Sequence, residues 1–121
     1  MHEMSLAMGL LREIERQLEP YGREARATRV LLEVGGLRAV VPEAMQLCFR
    51  AASQGTVAEG AELVIEQIVP RGRCVGCGRE REIDHILFLC PDCDLPVKLI
   101  AGEELLLRSI EIEEPDRKGH K

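Results

Sequence analysis

Cys74, Cys77, Cys90 and Cys93 stand as C-x2-C-x12-C-x2-C in a chain that opens Met1-His2-Glu3. These two groups carry the residue types suited to metal chemistry. A Cys-x-x-Cys pair forms a tight turn that aims two thiolates at one point. Two such turns supply the tetrahedral sulfur set that Zn2+ prefers, at roughly 2.3 Å per bond. Gly76 and Gly78 flank Cys77 and let the backbone bend so that amide N–H groups approach the sulfurs. Pro91, directly after Cys90, presets one torsion of its turn. An ion held by four thiolates has no open position for water, so the spacing predicts a structural zinc.

Other uses of these cysteines fit less well. Disulfides need an oxidising compartment, and the first residues, with a histidine and a glutamate, do not read as a secretory leader. A thioredoxin-type motif needs one Cys-x-x-Cys between a strand and a helix, with no matching second pair. Cys48 falls with Met45, Phe49 and Ala52 at helical spacing and reads as a buried, inert thiol.

The opening residues offer different donors. Histidine in second place is too bulky for the usual trimming of an initiator methionine, so Met1 is expected to keep a free α-amine. That amine, the deprotonated His2 amide and the His2 imidazole can chelate one ion. The Glu3 backbone nitrogen is available as a fourth in-plane donor, and the Glu3 carboxylate as a substitute or axial oxygen. A planar nitrogen set suits Ni(II) and Cu(II) alike. Binding releases protons, so occupancy is expected to fall at mildly acidic pH. On position alone, however, His2 reads better as a solvated residue of a mobile terminus than as a ligand. His85, between the cysteine pairs, reads as a surface histidine, and His120 as part of a polar tail. Glu103-Glu104 and Glu113-Glu114 read as solvated faces.

Composition narrows the function. The 121 residues carry a net charge of −5, which argues against general nucleic-acid binding. The segment 70–100 holds five cations and five acids, and four thiolates with one Zn2+ would add a formal −2. No apolar run approaches membrane-spanning length, and a cytoplasmic protein is expected. No histidine or serine sits in a recognisable triad setting, so no enzyme is expected.

The elements that must position these groups follow from periodicity. Met4, Ala7, Met8, Leu11, Ile14 and Leu18 recur at helical steps, which predicts an amphipathic helix ending near Glu19-Pro20, with Ser5 as a candidate cap. Thr28 to Val34 alternates as a strand, with Val30, Leu32 and Val34 on one face, and stops at Gly35-Gly36. Pro42 suits the first turn of a second helix, Glu43 to Ser53, closed by Gly55. Ala61 to Val69 and Leu105 to Glu113 read as two further strands. With only Tyr21, Phe49 and Phe88 as aromatics, the core must be aliphatic. The last strand is too short to stand alone and is expected to join the earlier two. The predicted fold is α+β: a small three-stranded mixed sheet with two helices, interrupted by an inserted zinc-ribbon module. The expected division is 1–69 with 104–114 as one domain, 70–103 as the zinc ribbon, and 115–121 as a flexible tail. Zinc-finger peptides suggest that the metal supplies the folding energy of such a module, ~10–16 kcal/mol apparent at neutral pH. An apolar terminal strand can be exchanged between copies, so monomer and homodimer both stay open.

The opening M-H-E-M-S-L-A, the stretch R-V-L-L-E-V-G-G-L, the V-V-P-E-A before the second helix and C-x2-C-x12-C-P-x-C occur here in order. Together they resemble the HypA/HybF family of hydrogenase nickel-incorporation proteins, over roughly Met1 to Glu113. The resemblance implies a non-catalytic nickel metallochaperone, with transient Ni2+ at Met1, His2 and Glu3 and structural Zn2+ at Cys74, Cys77, Cys90 and Cys93. It also implies delivery of nickel to the [NiFe]-hydrogenase large subunit with a HypB-type GTPase, and in some relatives to urease maturation. One departure is visible: Asp94 follows Cys93 where the family more often has glycine, which predicts an unusual backbone angle or a weakened N–H to sulfur bond. The competing reading is a zinc-ribbon adaptor that binds only other proteins, with an inert N-terminus.

Overall fold

A computed structural model describes residues 2–83 and 89–114. Its elements are helix α1 (His2–Leu18), a 3-10 turn (Glu19–Tyr21), strand β1 (Arg26–Gly35), helix α2 (Pro42–Ala52), and strands β2 (Glu62–Ile68), β3 (Arg71–Cys74), β4 (Glu80–Glu82), β5 (Val97–Ala101) and β6 (Leu105–Glu113). They form two three-stranded sheets, ordered β2-β1-β6 and β4-β3-β5. The first sheet is mixed. Thr28 Oγ1 donates to Glu111 O and Gly35 N–H to Glu104 O, so β6 runs antiparallel to β1. Arg29 pairs with Glu62 while Gly36 lies against Ile68 and Pro70, so β2 runs parallel to β1 and α2 is the crossover between them.

The chain divides into two compact units. The first comprises Met1–Leu32, Val40–Ile65 and Leu107–Lys121; the second comprises Glu33–Ala39 and Glu66–Leu106. In the first unit α1 packs on α2, and the buried stripe of α1 is Ala7, Leu10, Leu11, Ile14 and Leu18. Val30 and Leu32 of β1, Met45 and Phe49 of α2, and Leu63 of β2 are buried as well. Ile14, Met45 and Val30 are among the largest fully buried side chains, each contributing about 1.5–3 kcal/mol of transfer free energy. The core is aliphatic with one phenylalanine, as the composition required.

Several local expectations need correction. α1 begins at His2 rather than at Met4, so Ser5 lies inside the helix and caps nothing. The early start has a physical cause: Glu3 in the first turn suits the positive end of the helix dipole and is also anchored by a bond described below. Met8 is 47% exposed and Leu10 takes its place in the core, because the buried stripe is turned by part of a step from the predicted one. Cys48 is half-buried rather than buried; Met45 and Phe49 occupy the inner face of α2.

The second unit contains the cysteine sheet. Strand β3 pairs antiparallel with β4, Arg73 opposite Glu80, and with β5, Cys74 opposite Val97. Gly72 is required there: a Cβ would stand 2.1 Å from Val97 Cγ1. Gly35 and Gly102 meet backbone to backbone, a Cβ on Gly35 falling 2.1 Å from the Gly102 carbonyl carbon, and Leu37 N–H donates to Gly102 O at 2.8 Å. The predicted tail, 115–121, and Phe88 lie outside the described residues.

Candidate metal centre

Each cysteine pair sits on a closed turn, and the two turns repeat the same bonds. Cys74 N–H donates to Arg79 O at 3.0 Å, and Gly78 N–H returns to Cys74 O at 3.0 Å. In the second turn Cys90 N–H donates to Leu95 O at 2.9 Å, and Asp94 N–H returns to Cys90 O at 2.7 Å. Closing such a turn requires a left-handed residue after the second cysteine. Gly78 takes it with φ +75°, and Asp94 with φ +58°. The departure from glycine at Asp94 is therefore absorbed as an uncommon backbone angle, one that aspartate tolerates better than most residues. The turns also touch: Val75 N–H donates to Pro96 O, and a Cβ on Gly76 would stand 2.6 Å from Leu95 Cδ1. A side chain at Gly76 would have to displace the end of Leu95, while Gly78 is favoured for its torsion.

The four ligand atoms converge. The Sγ atoms of Cys74, Cys77, Cys90 and Cys93 all lie within 4.8 Å of one another, and Cys77 Sγ is 3.9 Å from Cys90 Sγ. A tetrahedron with bonds near 2.3 Å has edges of roughly 3.8 Å, so the cage is the size of a zinc–thiolate site. Cys74 and Cys90 are buried, Cys93 is half-buried and Cys77 is exposed.

The environment already prepares one thiolate. The N–H groups of Cys77 (3.4 Å) and Gly76 (3.2 Å) donate to Cys74 Sγ and hold its thiol down at about 6. Backbone N–H groups of Asp92 and then Cys93 lower Cys90 similarly. Cys93 goes the other way, pushed up to about 12 by the thiol groups of Cys77 and Cys74 beside it. Without a cation the cage therefore keeps its last proton on Cys93; a divalent ion at the centre removes the reason. Between the second pair of ligands, Asp92 accepts from Arg79 Nη1 at 3.1 Å and Arg81 Nη2 at 2.7 Å. Arg81 Nε is buried with no hydrogen-bond partner. Sequence spacing gave no sign of this ion pair, because Arg81 on β4 and Arg79 before it lie 11 and 13 residues from Asp92.

The other expected site is described only in part. His2 and Glu3 form the first turn of α1, and Met1 lies outside the described residues. The His2 side chain is 48% exposed, with Nδ1 3.8 Å from Glu3 Oε2. Glu3 is 15% exposed and its Oε2 accepts the Val41 N–H at 3.1 Å. That bond, then its own backbone N–H and the His2 charge, holds the Glu3 carboxyl below its ordinary value. Val41 escaped the sequence reading; nothing in a V-V-P-E-A stretch announces an acceptor from a different helix. His85 and His120 lie outside the described residues, and Cys48 is not a member of the thiol cage.

Comparison with known proteins gives these sites a context. The family described as "Hydrogenase/urease nickel incorporation, metallochaperone, hypA" matches residues 1–112. A hydrogenase maturation factor HypA of Desulfitobacterium hafniense is 44% identical over 115 residues, covering 94% of this chain and all of that one. Its counterpart in Chlorobium limicola is 41% identical over 117 residues, covering 96% of this chain and all of the relative. The solution structure of the nickel metallochaperone HypA from Helicobacter pylori superposes with a TM-score of 0.64 at 22% identity, over 92% of this chain and 97% of that one. A second HypA solution structure gives 0.70 at 21% identity, over 94% and 98%. No helix among the described residues is long and apolar enough to cross a membrane. The chain belongs to the HypA family: it is a nickel metallochaperone of hydrogenase maturation, not an enzyme.

Proposed function

We propose that this chain carries Ni2+ at its N-terminus and lends it to the [NiFe]-hydrogenase large subunit, working with a HypB-type GTPase in the cytoplasm. Nickel is held by the Met1 amine, the His2 amide and imidazole, and Glu3. Zn2+ at Cys74, Cys77, Cys90 and Cys93 is structural. The observation that carries the nickel reading is the placement of His2 and Glu3 in the first helical turn. The N–H groups of that turn have no intrahelical acceptor, so the amides can be deprotonated by a metal without breaking the helix. The exposed His2 ring suits a cargo that must leave again. Urease maturation proteins are a second class of client that the family description supports. We assign the carrier function to 1–69 with 104–114, the zinc function to 70–103, and none to the tail 115–121.

The test uses untagged protein loaded with zinc. Calorimetry is expected to show one nickel bound per chain, and His2→Ala to lose it while zinc content and helicity are retained. Extra residues fused ahead of Met1 should impair uptake in the same way. A His2→Ala variant that takes nickel normally would refute the assignment and favour the adaptor reading.

A further inference from the structure

Asp92 lies between Cys90 and Cys93 and works in two directions. Its backbone N–H donates to the Cys90 sulfur on its own turn. Its carboxylate reaches the other half of the module: Oδ2 accepts from Arg79 Nη1 at 3.1 Å and from Arg81 Nη2 at 2.7 Å. Arg79 is two residues past Cys77, and its carbonyl accepts the Cys74 N–H that closes the first turn. Arg81 stands on β4, whose partner β3 ends in Cys74. One carboxylate oxygen thus ties the second turn to the first turn and to the strand pair that carries it. The backbone bond between the turns, Val75 N–H to Pro96 O, is long at 3.3 Å, so the side-chain tie matters.

The Arg81 contact is the firmer of the two. Its side chain is 26% exposed against 63% for Arg79, and its Nε is buried with no hydrogen-bond partner. Taking a guanidinium out of water is costly, and a carboxylate at hydrogen-bond distance offsets that cost. Without the anion the enclosed charge has no compensation, so the pair favours the arrangement in which the turns stay together.

We propose that Asp92 is a positioning residue: held by Arg79 and Arg81, it latches the two cysteine turns together and sets how slowly the zinc leaves. The inference rests on the zinc assignment above. Each turn supplies two of the sulfurs, so the cage opens only as the turns part. Cys77 is exposed, and a competing ligand reaches the cage there without first unfolding the module. Once one sulfur is displaced, the latch keeps the others in place and favours recapture over loss. A carrier that lends one metal has to keep the other.

The experiment uses the untagged, zinc-loaded full chain with Asp92→Asn, Arg79→Gln, Arg81→Glu, Asp92→Arg and the double variant Asp92→Arg/Arg81→Glu. Elemental analysis counts the zinc, and the visible bands of substituted cobalt report a tetrahedral thiolate cage. Zinc release into excess pyridylazoresorcinol is then timed at low and high NaCl. Asp92→Asn is expected to release zinc about fivefold faster than wild type at low salt, the upper end of what an exposed ion pair contributes. Arg79→Gln leaves the Arg81 pair and should speed release only about twofold. High salt should bring the wild type toward the Asp92→Asn rate and leave that variant unchanged. Arg81→Glu and Asp92→Arg should each be fast, and the double variant, which restores an opposite-charge pair, slower than either. A purely structural role for Asp92 would give neither the salt dependence nor the rescue. Equal rates for wild type and Asp92→Asn overturn the proposal, as does a double variant no slower than the two singles. If Asp92→Asn takes up no cobalt, wild-type rates unmoved by salt and by Arg79→Gln overturn it instead. If the wild type retains no zinc, the zinc assignment itself falls; cobalt release from the same variants still decides whether the latch exists.

Discussion

At the scale of single residues, the metal cage is shaped by what its neighbours lack or tolerate. Asp94 holds a left-handed torsion that Gly78 holds without strain in the equivalent turn. Asp94→Gly is therefore expected to tighten zinc binding by about 1 kcal/mol, the order of the penalty for a side chain in that region. Competition with a colorimetric chelator measures it, and weaker binding would count against the strain argument. The thiols predict how metal uptake depends on pH. Cys74 is held down at about 6 while Cys93 is pushed up to about 12, so binding of a divalent ion displaces a proton from Cys93. Apparent zinc affinity should therefore rise with pH through the neutral range. Competition with the same chelator at three pH values tests this; a flat profile would contradict it. The ligands themselves were legible because C-x2-C pairs encode a local turn. Leu95 over Gly76 and Arg79 and Arg81 on Asp92 were not, since each contact joins segments distant in sequence.

At the scale of elements, periodicity located the parts and missed their phase. The last strand, Leu105 to Glu113, matches β6 residue for residue, and its half-buried Ile110 and Ile112 alternate with exposed Glu111 and Glu113. An alternating pattern has only two phases, and one inward-facing isoleucine chooses between them. A helix has a continuous phase, which is why Met8 and Leu10 exchanged places around the α1 stripe. Ile14, common to both versions of that stripe, is fully buried, and Ile14→Ala should destabilise the first unit by about 2–5 kcal/mol. Thermal denaturation followed at 222 nm measures the loss; a change under 1 kcal/mol would mean that the site can collapse around the gap. The helix start was illegible for another reason. The signal that extends α1 back to His2 is a bond to Val41, 38 residues away. Local capping rules contain no such partner.

At the scale of the whole molecule, the two units differ in what holds them. The first is built on Ile14, Val30, Leu32, Met45, Phe49 and Leu63, none of which is a ligand. Among the described residues of the second unit, the buried apolar side chains are Val34, Cys74, Ile83 and Cys90, and two of these four belong to the cage. Such a unit has too little core to fold without its ion. Chelating the metal is therefore expected to leave the helical signal and its melting transition largely intact while amide protection across β3, β4 and β5 is lost. Hydrogen exchange on the stripped protein would show it, and retained protection would mean that hydrogen bonding alone suffices. The return of the last strand to the first sheet was legible, because an apolar terminal strand needs partners already present upstream.

The uneven burial of the four thiols gives the ion a back and a front. Cys74 and Cys90 are buried, while Cys77 is exposed and Cys93 is half-buried. A scavenging ligand or an oxidant would therefore meet an ion held there from the Cys77 and Cys93 side. The sulfurs lost first would be the outer ones, with the enclosed pair still in place.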